Sequence, residues 1–396
     1  MEIPFDIERA RRETRGTANV IHFNNAGAAL MPVPVADAHY AYLKQEEEQG
    51  GYEVMARHSA KLENFYRASA RLLNCSAPEI AFADSATRAW NSVFYALSFQ
   101  PGERILVGSA EYGSNLVAML HRARLTGVEI IQVPDDDYGQ IDVAALEELI
   151  DERVRLICLT QVPSGGGLVN PAAAVGCIAR AAGIPYLLDA CQVLGQLPVD
   201  VEAIGCDLLC GTGRKFLRAP RGTGLLYVRQ SLLEKLEPAQ LNHHAANLVA
   251  ADQYELRADA RRFECWERSY AGQFALGVAI DYALEWGLDR IGARINHLAQ
   301  TLRSELANIS GVSLADKGLE HCGIVTFYTS HLSAEKIQRG LAEAGINTST
   351  VPFNANPLSS TLAPHFPLVR ASLHYYNTDE EIEQFIDMLQ ALAAGR

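Results

Sequence analysis

Between about Ile21 and Val228 the chain alternates short aliphatic or β-branched runs with longer segments whose apolar residues recur at helical spacing. RILVGS, EIIQVP, RLICLTQV, PYLLDA, CDLLCGT and GLLYV read as strands, and Ser114 to Arg124, Asp142 to Ile150 and Pro171 to Ala182 read as helices. Strands alternating with helices predict an α/β large domain, a mostly parallel sheet covered on both faces. After Val228 the pattern becomes a polar linker, then a long helical stretch from about Gln273 to Ile309. Two further strand candidates, GIVTFYTS and VRASLHYY, are separated and followed by helices, which predicts a smaller α+β C-terminal domain. The division expected is 1–20 as a segment joining the small domain, 21–255 as the large domain and 256–396 as the small one. The Pro- and Asn-rich stretch from Val351 to Pro367 is the longest loop candidate, and long loops in compact domains tend to be functional.

Composition narrows the partners. The 396 residues carry a formal net charge of -13, which repels a phosphate backbone and an anionic membrane surface. No stretch is apolar enough to span a bilayer and the first residues form no apolar signal region, so nucleic acid and membrane are not expected and a cytoplasmic location is. The eight cysteines are spread without a CxxC pair and read as reduced, mostly core thiols. No HExxH or Cys/His cluster has zinc spacing, so no structural metal is expected.

In parallel sheets ligands bind where loops leave the carboxyl ends of strands. PYLLDACQ ends in Asp189, and the next strand ends in GTGRKF with Lys215 just beyond it. A carboxylate and an amine are thereby delivered to one sheet edge, an arrangement suited to pyridoxal 5'-phosphate (PLP). Such catalysis needs a lysine to hold the cofactor and move protons, and a carboxylate to keep the pyridine nitrogen protonated. Alone, either residue would read as a solvated charge or a strand-end cap.

DACQ, GTGRK and PRGTGLLYV, with HFNNAGAAL, FADSATRAWN, SAEYGSN, RRFECWE and VRASLHYYNTDEEI, resemble the class V aminotransferase family of fold-type I PLP enzymes. Cysteine desulfurases, selenocysteine lyases and kynureninases are its relatives, and the resemblance spans almost the whole chain. It implies that Lys215 carries the cofactor as a Schiff base, that Asp189 pairs with the pyridinium nitrogen and that Gln192 reaches the phenolic oxygen. It further implies a phosphate cup of Ala86, Thr87, Thr212 and Arg214. Arg221, Gly222 and Thr223 would complete that cup from the neighbouring chain of a homodimer with shared active sites. Ser85 reads independently as a helix cap. Tyr112 stands where relatives usually have a histidine stacked on the ring; it still stacks but supplies no imidazole. Arg370 matches the arginine that grips a substrate α-carboxylate, implying an α-amino-acid substrate.

Desulfurases carry a nucleophilic cysteine on the loop before that arginine, and GINTSTVPFNANPLSSTLAPHFPLVR contains none. The nearest resemblance, in NNAGAALMP, GGYE, RRFECWE, TGRKFLRAPRGTG and RASLHYYNT, is to the isopenicillin-N-epimerase-like branch, which includes hercynylcysteine sulfoxide lyases. It implies a C–S lyase performing β-elimination on an S-substituted cysteine or its sulfoxide. The alternatives are an aminotransferase or decarboxylating deaminase, or a PLP-fold binding protein without catalysis. Gly165 departs from the Asn of relatives, removing an amide near the cofactor. The loops at Gly50–Arg57 and Val351–Pro357 are expected to set side-chain specificity.

Overall fold

Each of the six runs becomes a strand in the computed structural model, which describes residues 5–352 and 367–394. Most of the expected Val351–Pro367 loop therefore lies outside the described residues. The large sheet has seven strands in the order Ile80–Ala83, Gly224–Val228, Leu208–Thr212, Tyr186–Asp189, Val154–Thr160, Arg104–Val107 and Glu129–Gln132. The last five are mutually parallel, and only Gly224–Val228 runs against its neighbours. Successive side chains of a strand point to opposite faces. Leu156, Cys158 and Leu187 accordingly enter one apolar core while Ile157, Leu159, Tyr186 and Leu188 enter another. Two-sided burial is why these strands are uninterrupted apolar runs.

The single helix expected from Gln273 to Ile309 is two, Tyr270–Trp286 and Leu288–Ala307. Gly287 separates them at φ +84°, a left-handed conformation that a residue with a Cβ adopts only under strain. Gly51–Arg57, expected as a loop, is a helix whose Val54 packs against Tyr42 and Ala271. The polar linker contains an antiparallel hairpin, Ala246–Ala250 with Gln253–Leu256. The small domain is built on a four-stranded antiparallel sheet, Val312–Leu314, Ile324–Thr329, Leu368–Ser372 and Ser349–Val351.

The amino-terminal segment ties these parts together. Ile21–His22 pairs in parallel with Ile346–Asn347 of the small domain, and Arg11 donates to Glu381 at 2.6 Å and to the Tyr376 carbonyl at 3.1 Å. Arg218 takes the left-handed φ of +61° although it is not glycine. Its guanidinium is buried, donating to the Leu30 carbonyl, the Tyr375 hydroxyl and Thr14 Oγ1 at 2.8, 2.5 and 2.6 Å, and it lies over the Tyr375 and Tyr376 rings. That set of contacts offsets a backbone penalty of about 1–2 kcal/mol. It fixes the turn that begins at Lys215, whose carbonyl accepts the Arg218 N–H.

Candidate active site

The carboxyl ends of the parallel strands open into a cavity of about 80 Å³. Asp189, Gln192, Thr212, Arg214, Lys215, Ala86, Thr87 and Tyr112 all line it, so eight of the sequence-predicted residues converge. A roomier hollow of about 370 Å³ lies elsewhere, lined by Asp84, Arg88, Arg122, Glu264 and Arg268 among others. It brings together no amine with a strand-end carboxylate. The smaller cavity does, and it is therefore the candidate site.

Asp189 is the last residue of Tyr186–Asp189 and is 3 % exposed. Its Oδ1 accepts the Cys191 N–H at 2.9 Å and its Oδ2 accepts the Asn115 side-chain amide at 2.8 Å. Both bonds fix the carboxylate's orientation. Lys215 follows the neighbouring strand by three residues, and burial pushes its ammonium below the usual lysine range. A neutral amine is the form that attacks a carbonyl carbon.

The Ile80–Ala83 strand feeds the Ala86–Phe94 helix through Ser85, whose Oγ caps the Arg88 N–H at 3.2 Å. Capping and anion binding are compatible here, because the N–H groups of Ala86 and Thr87 precede the first intrahelical bond and favour an anion at this end. Gly224 lets the next strand pass beneath: a Cβ there would come within 3.0 Å of the Ser85 carbonyl carbon. Tyr112, at the start of the Gly113–Thr126 helix, is 41 % exposed at the rim, so its ring is available for stacking. Its N–H donates to Thr160 Oγ1 at 3.3 Å.

Arg370, on the small-domain sheet, does not itself line the cavity but stands behind Ser164, which does. It is 9 % exposed, and its Nη1 donates to the Ser164 carbonyl at 2.6 Å and its Nη2 to Asn24 Oδ1 at 3.3 Å. The buried Nε has no partner among the described residues. Burial, then the nearby Arg214, lowers its guanidinium to about 10. Arg214 itself donates to the Gly27 carbonyl.

Within its own chain Thr223 does not line the cavity. It is 1 % exposed, and its hydroxyl donates to the Pro220 carbonyl of its own chain at 2.6 Å. Gly213, on the adjacent turn, leaves it room to pack inward. Arg221 and Gly222 remain exposed. Conversely, sequence reasoning gave no role to Glu111, Asn115, Thr160 or Cys191. Glu111 and Asn115 lie in the SAEYGSN segment, and their spacing of four residues was the one available signal. Cys191 sits between Asp189 and Gln192 in DACQ and lines the cavity.

The family model for class-V aminotransferases matches residues 21–385. A probable cysteine desulfurase of Methanothermobacter thermautotrophicus is 31% identical over 392 residues, covering 98% of both proteins. The chain belongs to the class-V aminotransferase family. A solved cysteine desulfurase from Thermococcus onnurineus, 25% identical, superposes with a TM-score of 0.91 over 100% of this chain and 99% of its own. A solved complex of the cystine C–S lyase C-DES with its product cysteine persulfide, 22% identical, superposes at 0.86 over 95% of this chain and 98% of its own.

The protein is thus a fold-type I, PLP-dependent enzyme, and the cavity suits that cofactor. Its lining offers a helix N-terminus suited to a phosphate, a buried carboxylate suited to a ring nitrogen and a buried amine suited to an aldehyde carbon. Gln192 is 2 % exposed and its Oε1 has no partner among the described residues, an unmet group that a bound cofactor would meet. Among the described residues no helix is long and apolar enough to cross a membrane.

Proposed function

We propose that the enzyme is a C–S lyase that performs β-elimination on an S-substituted cysteine or its sulfoxide, as the isopenicillin-N-epimerase-like and hercynylcysteine sulfoxide lyase-like branch does. The observation that carries this reading is a pairing. Arg370 holds a buried guanidinium on Ser164 at the edge of the Lys215 cavity, close enough to act electrostatically on Lys215, while the loop before it has no cysteine to receive sulfur. An α-carboxylate suits the first, and release of the sulfur group into solution, as a thiol from a thioether or as a sulfenic acid from a sulfoxide, suits the second.

Bound PLP supplies an electron sink conjugated to the substrate's α-carbon. Asp189 would hold the proton on the ring nitrogen that makes the sink effective. Ala86, Thr87, Thr212 and Arg214 would hold the phosphate and Gln192 the phenolic oxygen, with Tyr112 available to stack on the ring. Arg370 fixes the carboxylate and so orients the α-hydrogen toward Lys215, whose neutral Nζ removes it. The same Nζ then returns a proton to the departing sulfur. The working form is a homodimer with shared sites, a reading supported by the exposed Leu248, Val249 and Tyr254 of the hairpin and by the nearby exposed Trp266.

One observation favours a second reading, cysteine desulfurase activity as in the relatives' names: the Cys191 thiol lines the cavity. In that reaction the substrate C–S bond breaks, the sulfur joins Cys191 as a persulfide, and the β-carbon takes a proton to leave alanine. Incubation with cystine, an S-alkyl cysteine sulfoxide and cysteine separates the two. Pyruvate with ammonia is the expected product. Alanine from cysteine, lost in Cys191→Ala, would replace the lyase reading, and a keto acid retaining the side chain would mark an aminotransferase.

A further inference from the structure

Under the cavity lies a second buried carboxyl group with no part in the chemistry above. Glu111 is 2 % exposed. Its Oε1 accepts the Thr160 N–H at 2.7 Å and its Oε2 accepts the Thr160 hydroxyl at 2.9 Å. Thr160 is the register partner of Asp189 on the adjacent strand. Four residues on, in the first turn of the Gly113–Thr126 helix, the Asn115 amide donates to Asp189 Oδ2 at 2.8 Å, and the same side chain favours the charged form of the Glu111 carboxyl. One amide and one pair of strand ends therefore join the two carboxyl groups.

The titratable groups that act on Glu111 or respond to it are Asp189, Cys158, Tyr186 and Cys210, from three strands of the sheet. None of them is a cation; the Lys215 amine acts on Asp189 and is not among the groups acting on Glu111. A buried carboxyl group beside another and without a cation of its own resists ionising. Burial first, and the Asp189 charge second, push the Glu111 carboxyl up to about 7.

We propose that Glu111 is a positioning residue that sets the charge on the cofactor's ring nitrogen by acting on Asp189 through Asn115. This rests on the reading that Asp189 pairs with that nitrogen. While Glu111 holds its proton, no second buried charge stands behind Asp189. When Glu111 releases its proton to solvent, a second buried negative charge stands behind Asp189 and strengthens the hold on the ring proton. Ring protonation then persists to higher pH than Asp189 alone would sustain.

The test is a pH titration of the bound cofactor's visible spectrum without substrate, from about pH 5.5 to about pH 9. Wild type should show an inflection near about 7, and Glu111→Gln should lack it. Turnover of Glu111→Gln should fall several-fold on the alkaline side with KM changed by less than about twofold. A cofactor-free readout accompanies it. The folded state binds an extra proton at Glu111 between its ordinary value of 4.5 and about 7, so stability falls as pH rises through that window. The melting temperature of Glu111→Gln should lose that part of its pH dependence.

Asn115→Ala keeps the carboxyl group but cuts the link, and should displace the inflection; it carries the test if Glu111→Gln does not fold. An inflection unchanged in both variants, or an effect of equal size at every pH, overturns the proposal. Asp189→Asn separates the two levels. If it binds cofactor with unaltered spectrum and turnover, the Asp189 assignment fails. If it responds while the Glu111 and Asn115 variants do not, only the role of Glu111 fails.

Discussion

Asp189 and Arg370 are both buried ions at one cavity, Asp189 lining it and Arg370 held behind Ser164, yet they are held in different ways. Asp189 stands on the large sheet, and its two oxygens accept an N–H two residues away and an amide on the adjoining helix. Arg370 stands on the small-domain sheet and donates to a loop carbonyl and to a side chain of the amino-terminal segment, with its Nε left over. The residue proposed to pair with the cofactor is fixed within one layer of the fold. The residue proposed to grip the substrate is held by three parts of the chain. A cofactor that stays bound through every turnover benefits from rigid electrostatics, whereas a carboxylate that enters and leaves meets a guanidinium with a donor in reserve.

The most severe way to break the floor is Lys215→Ala. Turnover should fall by about 10⁴-fold or more, since nucleophile and proton carrier are lost together, and the borohydride-reducible link between cofactor and chain should vanish. A variant that kept that link would place the attachment elsewhere. The wall should fail more mildly. Arg370→Lys loses the planar fork, so kcat/KM for an amino acid should fall by roughly 10²-fold with the cofactor spectrum unchanged. An amine without the α-carboxylate should be handled equally by wild type and variant, and loss of cofactor from Arg370→Lys would assign the residue to the floor instead. The smallest effect is expected outside both. Thr223→Ala removes a buried hydroxyl bonded to its own chain, costing about 1 kcal/mol of stability. Its cofactor affinity should stay within about twofold of wild type, as an equilibrium dialysis titration would check.

The element pattern was legible because hydrophobic period is a local property. RLICLTQV and PYLLDACQ had to be strands buried on both faces whatever surrounded them, and their ends had to share one edge of a parallel sheet. That placed Asp189 and Lys215 together before any contact was known. The helix break at Gly287 was harder to see, since the apolar spacing continues through it and a lone glycine is tolerated inside a helix. For Arg370 the resemblance supplied a role but no partners: Ser164 and Asn24 lie 206 and 346 positions away in the chain.

Thr223 shows the limit most clearly, because PRGTG marks a turn but does not say which way the hydroxyl points. Packing against Gly213 and the Pro220 carbonyl decided that. Glu111 shows it in the other direction. Its sequence context gave a carboxylate four residues before an asparagine, and nothing in that spacing states that the asparagine would bond Asp189 while the carboxylate bonds Thr160 on the strand beside it. The sequence by itself determined the strands, their shared edge and the residue types delivered there. Only the tertiary structure decided which polar groups are buried together. A hydrogen-bond partner of a buried group is chosen by distance in space, while periodicity reports only which face of its own element a residue occupies.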